Sequence, residues 1–232
     1  EDNKMIIKPL NKREQQFYEG TSGEFKSFMP EYYGTLHRTS TDGGAAGEMY
    51  VCMENVTSGF ARACVMDVKV GTRLHDDDAT EEKKQRMEKK AQQTTTASLG
   101  VRICGMAVAG RAPADRDWCR GLTDQTIGDA FKEFFAAAGE VSEEFRRYIV
   151  RQFVLELQDY LRVVEGMEAR MYASSLLFVY EADAERYQRF LADDGVDGML
   201  DLRAIDFAHS RWTPGQGSDA CYLVGLHKLI DL

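Results

Sequence analysis

The sequence predicts an α+β protein with two lobes, and two observations carry that prediction. Short apolar or alternating segments come first, a helical block follows, and two strands and a helix close the chain. At 232 residues the chain is long enough for one large domain or two small lobes around a sizeable core. The predicted division is residues 1–62 and 63–232.

In chain order, residues 4–10 (KMIIKPL) read as a short strand and 11–20 as a short helix with Phe17 and Tyr18 inward, closed by Gly20. Residues 32–36 read as a strand, 39–48 (TSTDGGAAGE) as a loop, and 49–56 (MYVCMENV) as an apolar strand running into polar residues. Residues 63–71 (ACVMDVKVG) alternate apolar and polar side chains and stop at glycine. A charged helix is predicted near 79–92, a strand over 99–108, a loop over 109–120, and helices at 123–138 and 142–165. The last of these places Phe145, Ile149, Phe153, Leu157 and Leu161 at four-residue steps. Residues 171–181 (MYASSLLFVYE) read as one strong strand, 182–200 as a mobile insertion, 202–209 as a short strand and 220–232 as a helix.

Composition narrows the function classes. No stretch approaches the ~18 apolar residues of a membrane span. A net charge of −9 disfavours a nucleic-acid partner, whose phosphates select basic surfaces. Residues 83–90 (KKQRMEKK) nevertheless gather five cations and one anion, a local patch suited to a small polyanion. The cysteines, Cys52, Cys64, Cys104, Cys119 and Cys221, fall in no metal-ligand spacing and read as buried thiols of a reducing compartment. The first residue is Glu1, so the numbering is expected to start inside a longer chain.

Four patterns carry candidate chemistry. Asp67 and Lys69 sit two apart on one strand and share a face with Val65, while Met66, Val68 and Val70 face the core. Asp206 follows a short apolar strand, a fixed position for a metal ligand. Lys8 precedes a helix carrying Glu14, and such a pair orients a lysine toward phosphates. The helix over 81–92 holds acids in its first turn and cations later, with Lys69 and Arg73 upstream, a candidate phosphate clamp. The run HDDD at 75–78 reads as a helix cap. Each pattern alone is also what a solvated, salt-bridged surface produces. GxxxxGK[ST], GxGxxG and GxSxG are absent from the sequence, which argues against P-loop, Rossmann and α/β-hydrolase chemistry.

Together these residues resemble the inositol polyphosphate kinase family. Its PxxxDxKxG hallmark is met over residues 63–71 with Ala63 in place of proline, its SSLL at 174–177 and its IDF at 205–207. REQQFYE (13–19), PEYYGT (30–35) and DACYLVGLHKLI (219–230) add to the likeness, which covers essentially residues 4–231. Within the family the chain is most similar to inositol hexakisphosphate kinases, through VKVGTRLHDDDATEEKK (68–84) and QQTTTASLGVRICGM (92–106).

The resemblance implies a protein-kinase-like ATP grasp, with a mainly β first lobe, an α+β second lobe and a helical inositol-phosphate-binding segment. It implies that Lys8 contacts ATP phosphates, Glu14 orients it, and Glu54 and Val56 form the adenine hinge. Asp67 would bind ribose, Lys69 the transferred phosphate, and Asp206 magnesium with Ser174 or Ser175 nearby. His209 would approach the acceptor, and Arg73, Lys83 and Lys90 would meet substrate phosphates. The implied activity is ATP-dependent phosphorylation of inositol hexakisphosphate to a pyrophosphate product. The alternatives are a multikinase acting on tris- and tetrakisphosphate hydroxyls and an inactive inositol-phosphate-binding module. A monomer in the cytoplasm or nucleus is expected.

Overall fold

The computed structural model describes residues 3–38, 48–193 and 198–232. The loop predicted at 39–48 therefore lies almost wholly outside the described residues. The first sheet places β3 (Glu48–Glu54) between β1 (Met5–Pro9) and β2 (Tyr32–Arg38), antiparallel to both. Between β1 and β2 run α1 (Lys12–Gly20) and a 3₁₀ turn, Gly23–Phe28. The Asn11 side chain starts α1 by accepting from the Arg13 and Glu14 amides. Phe17 and Tyr18 turn inward, as their spacing predicts.

The second sheet has the order β5-β4-β7-β8, all antiparallel, from β4 (Ala63–Val70), β5 (Val101–Ala107), β7 (Ser175–Glu181) and β8 (Leu200–Ile205). Cys64, Met66, Val68 and Val70 of β4 point into the core, so Asp67 and Lys69 share the opposite face.

α2 (Glu81–Gln92) is capped by Thr80, not by the acidic run before it. α3 (Thr95–Leu99) leads into β5, ending at Gly100 in the left-handed region. The helix predicted at 123–138 is two, α5 (Ile127–Phe134) and α6 (Ala136–Val141), which follow a short α4 (Arg116–Gly121). The Tyr180 hydroxyl donates to the Phe134 carbonyl at 2.6 Å, which ties the end of α5 to the sheet just where the helix breaks. α4 takes up the second half of the segment 109–120 predicted as loop and runs one residue past it; Asp115 caps it and Cys119 buries against the core. The long helix α7 (Glu143–Glu165) buries Phe145, Ile149, Phe153 and Leu157 in the core. Its cap is Ser142, whose hydroxyl accepts from the Phe145 amide.

The predicted strand 171–181 is also divided. β6 (Ala169–Met171) pairs instead with β9 (Ser210–Trp212), and Ala173 turns the chain with φ 55° before β7. The segment predicted as a mobile insertion contains α8 (Ala184–Ala192), capped by Asp183, with Tyr187 packed 4.2 Å from the Phe145 ring. Only residues 194–197 of that segment lie outside the described residues. After β8 a 3₁₀ turn, Phe207–His209, precedes β9, and α9 (Ala220–Asp231) ends the fold.

Two packing features fix the frame around the acid at 206. Phe17 of α1 stacks between Phe207, at 4.7 Å, and Trp212, at 5.2 Å, so α1 is bound to the turn after β8. Gly71, Gly100 and Gly225 let three backbones touch where the end of β4 and the start of β5 meet the middle of α9. A Cβ on Gly225 would sit 2.2 Å from the Gly100 carbonyl oxygen.

Candidate active site

Asp206 is the meeting point. Its backbone is left-handed, φ 66° and ψ 61°, and its carboxylate stands 3.7 Å from Nζ of Lys8 on one side and 3.7 Å from Nζ of Lys69 on the other. Lys8 comes from the first sheet and Lys69 from the second, so the acid bridges the two. Glu14, nearly fully buried, holds Lys8 at 2.7 Å and accepts the Phe207 amide at 3.3 Å. Lys69 donates to the Ala173 carbonyl at 2.7 Å and to the Ser175 hydroxyl at 3.1 Å. Ala173 and Asp206 are the two non-glycine residues of positive φ among the described residues, and both touch the Lys69 ammonium. Backbone strain thus collects around one side chain.

Asp67 lies beside this group on β4. Burial pushes its carboxyl pKa up, while hydrogen bonding from Ser175 and the charge of Lys69 pull it partly back. Its Oδ1 is buried with no hydrogen-bond partner among the described residues. Such an acceptor fits a hydroxyl donor from a ligand. Of the two serines, Ser175 faces Lys69, whereas the fully buried Ser174 donates to the Met171 carbonyl. Spacing alone leaves that choice open.

At the end of β3, Glu54 accepts the Glu31 amide at 3.0 Å. Asn55 ties the following turn to residues 3 and 4, and Val56 is buried. Among the described residues no backbone acceptor takes the Val56 amide.

The cationic wall differs in membership from the one expected. A cleft of about 610 Å³ is lined by Arg86, Lys89, Lys90, Arg102 and Arg120. Arg102 lies opposite Lys69 in the β4–β5 register, is 7% exposed, and keeps a buried Nε without a partner among the described residues. Burial first, then the charges of Arg102, Arg120 and Lys69, hold the Lys90 pKa below the ordinary lysine value. Cations crowded to that degree attract a multiply charged anion. Arg102 was legible in principle: a lone cation on an apolar strand, alternating with buried Val101 and Ile103.

Of the other expected clamps, Lys90 lines this cleft, while Lys83 stands 3.9 Å from Asp76 at the other end of α2. Arg73 is committed elsewhere, bridging to Asp77 at 2.6 Å and lying 4.6 Å over the Tyr172 ring. The acidic run is a set of counter-ions rather than a cap. Asp76 binds Arg13 and His209, Asp77 binds Arg73 and Arg211, and Asp78 binds Arg13.

No group of three or more acids, histidines and cysteines converges among the described residues. Asp206, 49% exposed and held among the described residues by two long ion pairs, therefore offers one carboxylate to a metal. That fits a divalent ion whose other ligands are phosphates and water.

Comparisons with known proteins agree with this geometry. The family described as "Inositol polyphosphate kinase" matches residues 50–232. The crystal structure of the inositol phosphate multikinase Ipk2 from S. cerevisiae, in complex with ADP and Mn²⁺, superposes with a TM-score of 0.87 at 30% identity, covering 99% of this chain and 97% of that one. The inositol polyphosphate multikinase of Saccharomyces cerevisiae is 26% identical over 328 residues, covering 100% of this chain and 92% of the relative. Mouse inositol hexakisphosphate kinase 3 is 34% identical over 200 residues, but the match covers 79% of this chain and 50% of that protein. The chain thus spans about half the length of the hexakisphosphate kinases it matches. It belongs to the inositol polyphosphate kinase family and is an inositol phosphate kinase.

Proposed function

We propose that this chain moves the γ-phosphoryl group of ATP onto hydroxyl groups of inositol tris- and tetrakisphosphates, as a multikinase. The observation that carries the kinase chemistry is the Lys8–Asp206–Lys69 bridge beside a five-cation cleft. The end-to-end match to multikinases supports the finer substrate class. Hexakisphosphate kinases are the second reading. They are favoured by the higher identity of the matched part and by the number of cations, which suits a densely phosphorylated ring.

In this reading the Glu54–Val56 turn offers backbone groups to adenine and the orphaned Asp67 Oδ1 takes a ribose hydroxyl. Lys8, aimed by Glu14, neutralises ATP phosphates. Lys69, fixed by Ala173 and Ser175, sits between donor and acceptor and stabilises charge on the group in flight. Asp206 would hold a divalent cation, magnesium in the cell, whose positive charge offsets that of the phosphates, with Ser175 the nearer of the two serines. Arg86, Lys89, Lys90, Arg102 and Arg120 receive the acceptor's phosphates. The protein would act as a monomer in the cytoplasm or nucleus.

Incubation with ATP, Mg²⁺ and a panel of inositol phosphates, with products separated by charge, tests this. Turnover of tris- and tetrakisphosphates well above that of hexakisphosphate is expected. Turnover of hexakisphosphate alone would select the second reading, and no turnover of any member would leave only a binding module.

A further inference from the structure

Asp76 takes no part in the transfer chemistry of Lys8, Lys69 and Asp206, yet it is 4% exposed and touches His209 on the turn that follows Asp206. Its Oδ2 accepts from Arg13 at 2.9 Å and lies 3.0 Å from Nδ1 of His209, with the Lys83 ammonium 3.9 Å away. Its Oδ1 is buried without a partner among the described residues. Arg13 is held from its other side by Asp78, so the guanidinium cannot swing off without breaking two contacts. These residues line an opening of about 530 Å³.

We propose that Asp76 is a positioning residue that holds His209 in the tautomer able to take a proton from an inositol hydroxyl. An ionised carboxylate only accepts hydrogen bonds, so the neutral imidazole must carry its proton on Nδ1 to meet it. Nε2 then keeps its lone pair, and no described residue bonds to it. His209 sits on the same 3₁₀ turn that Asp206 opens, three residues along the chain from the bridging acid.

The inference rests on the kinase reading and deepens it. The hydroxyl oxygen of the acceptor attacks the γ-phosphorus, and its proton passes to Nε2 of His209. The bond from the γ-phosphorus to the bridging oxygen breaks, ADP leaves with that electron pair, and His209 releases its proton to solvent. A phosphate oxygen that is already an anion needs no such base. The pair is therefore useful for a hydroxyl acceptor and idle for a fully phosphorylated ring.

The test has two arms. Nitrogen-15 spectra of the neutral histidines, with His209 assigned by loss of its signal in His209→Gln, are expected to show the proton on Nδ1. Asp76→Asn can donate its amide to Nδ1, so it should move the proton to Nε2. Its kcat on a hydroxyl acceptor should fall about 100-fold with an unchanged KM for ATP. Adding His209→Gln to Asp76→Asn should cost little more than His209→Gln alone. A wild-type proton on Nε2, a kcat for Asp76→Asn within about threefold of wild type, or multiplying losses in the double variant would overturn the role of Asp76. The wild-type tautomer decides even if Asp76→Asn fails to fold. Wild-type protein that phosphorylates no inositol hydroxyl would instead sink the multikinase reading, in an assay that needs no variant.

Discussion

Lys69 and Arg102 are direct partners in the antiparallel register of β4 and β5, one touching Asp206 and the other opening into the cationic cleft. One pair of neighbouring strands therefore places one cation beside Asp206 and another in the cationic cleft.

Arg102→Gln keeps a polar, hydrogen-bonding side chain, though a shorter one, and removes a charge that is almost wholly buried. KM for the inositol phosphate should rise about 10- to 100-fold, matching the ~1.5–3 kcal/mol of a charge-assisted hydrogen bond. KM for ATP should stay within about twofold. Steady-state kinetics with each substrate varied in turn separate the two.

Lys69→Ala should lower kcat by at least ~100-fold with a modest change in nucleotide affinity, in line with the proposed role of this ammonium, which Ala173 and Ser175 hold in place. Asp206→Asn should abolish metal-dependent turnover. Titration of divalent ion against product formation, alongside a fluorescent-nucleotide binding assay, distinguishes loss of chemistry from loss of binding. Near-normal turnover of either variant would remove that residue from the mechanism.

Burial raises the Asp67 pKa in the folded state above that of the unfolded chain. The folded state then binds more protons through the interval between the two values, so stability falls as pH rises through it. Above that interval the ionised acid opposes folding. Asp67→Asn should raise the melting temperature by a few degrees at pH 7, with the gain vanishing below about pH 4. Nucleotide affinity should fall in the same variant. Melting curves at the two pH values check the sign, and an unchanged or lowered melting temperature at pH 7 would contradict it.

Gly225→Ala places a methyl group where the Gly100 carbonyl and the Gly71 amide already meet. Backbone cannot yield as a side chain can, so ~2 kcal/mol or more of stability should be lost. Denaturant unfolding with an unchanged m-value would report it.

Periodicity was enough to place the site strands. The two-residue alternation of β4 put Asp67 and Lys69 on one face, and the four-residue steps of α7 built the core beneath. Local pattern could not show where elements end against one another. The end of α5 depends on a hydroxyl from a strand more than forty residues away, the β6–β7 turn on a left-handed alanine, and α8 on ring contacts with Phe145 and Tyr148 of α7. The same limit explains the site. Lys69 and Asp206 stand in motifs, Lys8 and Glu14 read as a lysine–glutamate pair, and the structure brings the four together. Arg13 and Asp76 were missed because their partners lie far away in sequence; Arg102 stood out as a lone cation on an apolar strand, but only the strand register sets it opposite Lys69.

The aromatic stack of Phe17 with Phe207 and Trp212 gives α1 a double allegiance. It is encoded among the strands of the first sheet, yet it is clamped to the floor under Asp206. Cutting the chain near residue 62 would part α1 from the floor it helps to build. The pieces of this enzyme are interleaved like folded hands, and the lysine–glutamate contact between β1 and α1 falls where the fingers cross.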